Sequence, residues 1–463
     1  MPTPDEIKAL RRAAQHAEAW LTEGQQRGLF APAGYEQMRA QFAGPPPEGP
    51  TPAATVIDEL ARRAAPGLSV MDSGRFFGWV IGGSVAAARA ADWLVTAWDQ
   101  NNGMNATTPA TAAISRQAGE WVLDLLGLPD KCTVGFVTGG CMANFTGLAA
   151  GRHRVLAEHG WDVEKRGLQG APKVRVIASA QRHETINLAL RYLGLGTGSV
   201  VEVAADAQGR IDVDALGSAL AAGDGPTLVA LAAGNVNSGS CDDFARAIPL
   251  AHRHRAWVHV DGAFGLWGRV APTVSGQLAG VEGADSWATD AHKWLNVPYD
   301  CGIAMVADPE AHRSTFSTPS SYLIHSDGYP DPLELVPEFS QRARAVPVWA
   351  AIAELGRSGV IELVERTCAA ARAFADRYRQ VPGAEVVNEV TLNQVLVAFA
   401  DDETTDAVVR AVVESGEAVV NRAVWNGRVV MRTSVSNWRT DDEDVNRTLA
   451  AVTRAAVSLR SRA

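Results

Sequence analysis

Hydrophobic and polar positions follow two different periods along this chain, and the switch between them marks out its parts. Across residues 4–28 the apolar Ile7, Leu10, Ala14, Ala17 and Leu21 recur at helical spacing, which predicts an amphipathic helix. Gly44-Pro45-Pro46-Pro47-Glu48-Gly49-Pro50 suits neither helix nor central strand, since proline lacks an amide donor, and it reads as a linker. Residues 1–65 are therefore read as a helical arm and linker outside the main core. From about residue 75 to 356 the pattern becomes short β-branched runs separated by helix-length stretches. Residues 134–137, 174–178, 228–232, 257–260 and 303–306 are the clearest runs. Runs of this kind are buried on both faces, so they predict an α/β fold with a largely parallel sheet covered by helices, in a large domain spanning 66–356. Beyond it the pattern predicts a helix over 360–380, strands at 385–387, 394–400 and 429–433, and a small α+β domain spanning 357–463.

Composition narrows the class without naming a function. With 463 residues, the chain is roughly two to three typical domains long. A net charge of -10 repels a phosphate backbone, which argues against nucleic acid as the main partner. The five cysteines (Cys132, Cys141, Cys241, Cys301 and Cys368) are odd in number and form no CxxC pair, so neither a disulfide framework nor a zinc site is expected. Charges run through the first 23 residues, and no window approaches the roughly 20 apolar residues of a membrane helix. The expectation is a soluble, reduced, cytoplasmic protein that uses no metal.

Chemistry concentrates in three segments. His259-Val260-Asp261-Gly262-Ala263 places Asp261 at the carboxyl end of an apolar run, where open α/β sheets hold their ligands. Asp290-Ala291-His292-Lys293-Trp294 follows, with Lys293 in a stretch poor in other cations. Pyridoxal 5′-phosphate (PLP) needs such a pair: a lysine for its aldehyde and a carboxylate against its pyridine nitrogen. Alone, an aspartate at a strand end is more often a turn residue and a lysine a solvated charge. The second segment, Gly135-Phe136-Val137-Thr138-Gly139-Gly140-Cys141-Met142-Ala143-Asn144, runs from a strand through two glycines into a helix. Its backbone N–H groups and helix N-terminus suit a phosphate, although it is neither a Walker loop nor a GxGxxG turn. In the third, Ala180-Gln181-Arg182-His183-Glu184-Thr185, His183 follows a strand and could stack on a planar ring. Three such elements in order, each at a strand's carboxyl end, reinforce one another.

Together these segments resemble the group II PLP-dependent amino-acid decarboxylases, the fold-type I family of glutamate and aromatic-amino-acid decarboxylases. The likeness runs from about Phe76 to Asn437. It is densest from Ala284-Asp285-Ser286 through Asp290-Ala291-His292-Lys293-Trp294-Leu295 to Val297-Pro298-Tyr299-Asp300-Cys301-Gly302. The resemblance implies that Lys293 holds PLP as a Schiff base and that Asp261 partners the pyridinium nitrogen. It places Ala263 against the ring and His183 stacked on it, with Gly140, Cys141 and His292 on the phosphate and Asn144 nearby. Asn235 and Asn237 stand in the same cofactor region, where familiar members carry threonines. It also implies a homodimer with shared active sites. Phe77 and Trp79 would face the substrate, as would Asn101 and Asn102 from the partner chain, and Arg432 would take a substrate carboxylate.

One departure bears on the reaction. Family members often carry a loop tyrosine that protonates the product carbon; Pro332 occupies that position here, and Tyr329 lies three residues earlier. The loop, residues 322–339, is also shorter and proline-rich. Tyr329 or His183 would then supply the proton. The reaction implied is α-decarboxylation of an L-amino acid to an amine and carbon dioxide. The alternatives on the same residues are an aldehyde synthase, which couples decarboxylation to oxidative deamination, or a carbon–carbon lyase. The remote alternative is a non-catalytic binding protein of the same fold.

Overall fold

Seven strands build the larger of two sheets: β1 (Thr133–Val137), β2 (Arg175–Ser179), β3 (Val200–Val203), β4 (Thr227–Ala232), β5 (Trp257–Asp261), β6 (Ser286–Asp290) and β7 (Gly302–Val306). The computed structural model describes residues 3–24, 28–318 and 329–460. Sheet order is β1-β7-β6-β5-β4-β2-β3, with β7 antiparallel to both its neighbours and the remaining strands parallel to one another. The architecture is therefore the mostly parallel α/β sheet that the apolar runs predict. Two strands escaped the periodicity. β3 is an edge strand with exposed residues, and β6 reads Ser-Trp-Ala-Thr-Asp yet is buried throughout. Its polar residues are spent on hydrogen bonds inside the protein, so they break the hydrophobic signal without breaking the strand.

The smaller sheet, β8 (Glu385–Val386), β9 (Gln394–Ala398), β10 (Asn421–Trp425) and β11 (Arg428–Ser434), is antiparallel in the order β10-β11-β9-β8. β10 was not expected; its half-buried Asn421 and Ala423 alternate with exposed Arg422 and Val424, which gives little apolar contrast. The helix expected over 360–380 spans Ala345–Tyr378 and breaks at Gly356, whose φ of 62° and ψ of 174° only glycine adopts readily. It packs on both sheets' helices and on β9, joining the two cores.

At the N-terminus, α1 (Pro4–Glu23) starts on a Thr3–Glu6 capping box and stops short of the expected residue 28. α2 (Tyr35–Phe42) and α3 (Ala53–Ala64) follow, and α1 packs on α3, where Arg12 and His16 both reach Asp58 at 2.7 Å. The arm does not lie wholly outside the core. Leu29 is fully buried with Val70, Phe76 and Val419, because an apolar side chain there closes a gap at the rim of the small sheet.

After the arm come α4 (Ala86–Trp98), α5 (Pro109–Leu126), α6 (Gly140–Ala157), α7 (Val163–Arg166) and α8 (Glu184–Tyr192). α6 lies against β5, β6 and β7, and two glycines set how closely. A Cβ on Gly147 would stand 2.6 Å from His259 Nδ1, and one on Gly151 2.6 Å from Trp257 Cδ1. Gly151→Ala should therefore overpack this contact and cost about 1–3 kcal/mol, read as a lower urea midpoint at unchanged slope. An unchanged midpoint would show that α6 can shift away freely.

Candidate active site

The carboxyl ends of β4 and β5, the N-terminus of α6 and the turn after β6 enclose a cavity of about 330 Å³. Parallel strands point their carboxyl ends to one edge, so residues far apart in sequence meet there. Lys293 stands in the turn after β6, and its Nζ lies 2.8 Å from Asp290 Oδ2. That turn is held rigidly. Asn296 Oδ1 accepts from Gly83 N–H at 2.6 Å and Trp438 N–H at 3.0 Å, while its Nδ2 donates to Trp294 O at 2.8 Å and Ser436 O at 2.9 Å. Gly82 passes so close that a Cβ there would sit 1.9 Å from Lys293 O.

Asp261, the last residue of β5, lines the cavity and accepts the Ala263 N–H at 3.2 Å. Opposite, Gly139 and Gly140 begin α6. A Cβ on Gly140 would meet Asp290 Oδ2 at 2.8 Å, and one on Gly139 would meet His292 Cε1 at 3.2 Å. Their bare backbone leaves room for an anion against N–H groups. Asp290 Oδ1 is buried beside this cradle without a hydrogen-bond partner. His292 accepts the Cys301 N–H at Nδ1 (3.1 Å) and stacks on Tyr299 with ring centres 4.3 Å apart. Burial lowers its pKa against the pull of Asp290, so it is a neutral donor at Nε2. Burial pushes the Cys141 thiol up, as do Asp261 and Asp290, which keeps it protonated. Asp242, also on the wall, is raised to about 6 by burial although two backbone N–H groups donate to it. A lysine, a carboxylate, a histidine and an anion cradle thus share one cavity, and this donor set fits PLP.

The structure brings together Gly140, Cys141, His183, Asn235, Asp261, Ala263, His292 and Lys293. It places the other expected residues elsewhere. Asn144 lies in the core between His259 and Thr185, since its amide is consumed there. Asn237 points at Arg432 instead of the cavity, accepting from its Nη1 at 3.2 Å. Arg432 stands behind the wall, also donating to Val236 O at 2.8 Å; burial lowers its pKa to about 10, and Nε has no partner. Phe77 is 1% exposed and packs edge-on against Phe374, which makes it core. Trp79 lies outside the cavity, 49% exposed, stacked on Phe76.

Tyr329 and Asn102 line a separate cavity of about 240 Å³, where Arg116 sits 4.1 Å above the tyrosine ring. Asn102 donates to Ser115 Oγ at 3.0 Å, and Asn101 accepts the Gln341 N–H at 3.0 Å. The first part of the expected loop, residues 319–328, lies outside the described residues. Sequence reasoning missed Asp290, Thr185 and Val80, which line the cavity, and Asn296, which holds its lysine. Asp290 stands three residues before Lys293, close enough for the turn after β6 to bring them together, which was the available signal. Among the described residues no helix is long and apolar enough to cross a membrane, and no cluster could hold a metal.

Two buried histidines give the fold an acid limit. Burial depresses His259 to about 3 and His312 to about 4. The unfolded chain protonates both near 6.5, the folded chain only far below, so their contribution is complete above 6.5 and is lost as pH falls toward 3. Stability should fall by up to about 1.4 kcal/mol per pH unit for each histidine across that window. Urea midpoints between those limits should show a shallower slope for His312→Gln than for the parent; equal slopes would mean that His312 is already protonated when folded.

Comparison with known proteins gives the family and the fold. Residues 36–400 match the family model described as the pyridoxal-dependent decarboxylase conserved domain. The chain is 26% identical over 379 residues to the aromatic-L-amino-acid decarboxylase of Bacillus atrophaeus, covering 78% of this chain and 75% of that one. It is 28% identical over 363 residues to the L-2,4-diaminobutyrate decarboxylase of Rhizobium meliloti, covering 77% and 71%. The structure of Oryza sativa TDC with PLP and tryptamine superposes with a TM-score of 0.92 at 22% identity, over 99% of both chains.

Proposed function

Since this chain belongs to the pyridoxal-dependent decarboxylase family, we propose that it removes the α-carboxylate of an L-amino acid as carbon dioxide and releases the amine. The observation that carries this reading is the meeting of Lys293, Asp261, His183 and the Gly139-Gly140 cradle in one cavity. Lys293 would hold the PLP aldehyde carbon, Asp261 its ring nitrogen, and the cradle with His292 its phosphate. Bound there, PLP supplies the electron sink that a departing carboxylate needs. The chain's own part is to orient. Val80, Phe264 and Val236 give the cavity apolar walls that exclude water, and Asp261 presents its carboxyl group there from the end of β5.

Arg432 is read as the anchor for a substrate carboxylate. Its unused Nε and its lack of a carboxylate partner among the described residues support this, since a buried guanidinium otherwise takes one. The working unit is read as a homodimer. The outer face of α4 leaves Trp93, Leu94 and Trp98 each nearly half exposed, and apolar faces of that size usually meet a partner.

A second reading is favoured by Tyr329, whose ring lies in the other cavity and away from Lys293. Without a proton donor at the product carbon, molecular oxygen would take the two electrons and become hydrogen peroxide. Water then hydrolyses the resulting imine, so that one amino acid, one oxygen and one water give an aldehyde, ammonia, carbon dioxide and hydrogen peroxide.

Mass spectrometry of the PLP-loaded protein with a panel of L-amino acids separates these readings. An amine lacking the carboxyl group supports decarboxylation; aldehyde with peroxide supports the second reading; neither product from any amino acid would sink both. Lys293→Ala should lose borohydride-trappable PLP and at least about 10³-fold in kcat, as expected when a covalent attachment is removed. Arg432→Ala should raise KM about 10- to 100-fold, the loss of one charge-assisted contact. An unchanged KM would remove Arg432 from the substrate site.

A further inference from the structure

The residue expected beside the phosphate, Asn144, is instead one link in a chain of hydrogen bonds that starts in the core and ends on His183, which is exposed to the open cavity. It begins at Trp257, whose Nε1–H donates to Ser286 Oγ at 2.9 Å. The Ser286 hydroxyl then donates to His259 Nδ1 at 2.9 Å; its other acceptor, Gly147 O, is more distant at 3.4 Å. His259 Nε2–H donates to Asn144 Oδ1 at 2.9 Å, and Asn144 Nδ2 donates to Thr185 Oγ1 at 3.1 Å. The Thr185 hydroxyl donates to His183 Nδ1 at 2.8 Å, because a backbone N–H also points at that nitrogen and leaves it an acceptor. The Thr185 backbone N–H donates to the same Nδ1 at 3.2 Å, so His183 is also the N-cap of α8. The Thr185 backbone N–H can only donate, so His183 Nδ1 is an acceptor; that makes the Thr185 hydroxyl a donor, turns the Asn144 oxygen toward His259 Nε2–H, and leaves Nδ1 of the neutral His259 to accept from Ser286.

The packing is built around this chain. Asn144, His259 and Ser286 are fully buried. Asn144, Gly147 and Gly151 share one face of α6, and the two glycines leave the space that His259 and Trp257 fill. His259 stays neutral because burial lowers its pKa to about 3, as its place between a hydroxyl donor and an amide acceptor requires.

We propose that this chain holds His183 as a neutral imidazole with its single proton on Nε2. His183 would then serve the cavity as a fixed hydrogen-bond donor and not as the acid that protonates the product. The proposal rests on the cavity being the PLP site. A cationic His183 would need a proton on Nδ1, where two donors already point, at a helix N-terminus whose dipole opposes positive charge. The charged groups around the ring divide. Burial works against the cation first, and Lys293 after β6 and Arg432 on β11 add to it; Asp261 on β5 and Glu184 on α8 pull the other way. The proton that completes the reaction then comes from a different group.

Two-bond 1H–15N spectra of 15N-histidine-labelled protein report the tautomer and charge of each of the ten histidines. His183 is identified as the signal missing in His183→Asn. In the PLP-loaded protein it should show the neutral Nε2–H pattern throughout about pH 6 to 9, a range in which an ordinary histidine titrates. Thr185→Val keeps the backbone N–H but removes the hydroxyl, and should shift His183 toward protonation or toward the Nδ1–H form. A His183 that titrates in the parent protein, or carries its proton on Nδ1, overturns the proposal. A Thr185→Val spectrum identical to the parent's overturns the role of the chain; if that variant does not fold, the parent spectrum still decides the tautomer. Borohydride trapping of PLP on Lys293 is read separately. Its failure would remove the functional reading, while spectra of the cofactor-free protein would still test the tautomer.

Discussion

A single buried side-chain amide, that of Asn296, ties together the parts of this protein that must meet for a site to exist. An amide away from water has to satisfy two hydrogens and an oxygen within the protein. Asn296 does so on three different segments: its own turn at Trp294, the Gly82–Gly83 passage, and Ser436–Trp438 beyond the small sheet. Loss of any one of those segments would leave a buried polar group unpaired. The lysine turn, the strand-like entry to the core and the small sheet are therefore fixed relative to one another by one residue.

Around that joint the site is a balance of buried charge. Lys293 is matched by Asp290 at hydrogen-bond distance, and Asp261 at the end of β5 is met by the Ala263 N–H. His292 and His183 are both pushed toward neutrality by the protein packed on them. Arg182 lines the wall but is committed to Glu202 at 2.8 Å. The anion cradle thus relies on backbone N–H groups and a helix N-terminus more than on side-chain cations. Dipoles of that kind need no counter-ion and so do not compete with the acids that share the cavity.

Polar residues inside β5 and β6 explain where periodicity failed. His259 and Ser286 occupy positions where a strand of a parallel sheet ordinarily carries valine or isoleucine. They are accommodated because each finds a partner on the neighbouring strand or on α6. The same demand for a partner drew Asn144 into the core and away from the phosphate cradle.

The sequence by itself determined the fold class and the cofactor, and it named most of the residues that meet in the cavity. The fold class follows from apolar runs that can only be buried strands; the cofactor came from two glycines before a helix and a lysine and an aspartate after strands, taken together with the family resemblance. Phe77, Asn144, Asn237 and Tyr329 were beyond that reach. A phenylalanine is as suited to a core as to a pocket, and an asparagine's amide bonds whatever the fold puts beside it. Only the tertiary structure decided that Phe77 faces Phe374, that Asn144 faces His259, and that Tyr329 lies under Arg116. The physical reason is that such side chains are defined by their neighbours, and those neighbours come from segments more than a hundred residues away for Asn144 and two hundred for Tyr329.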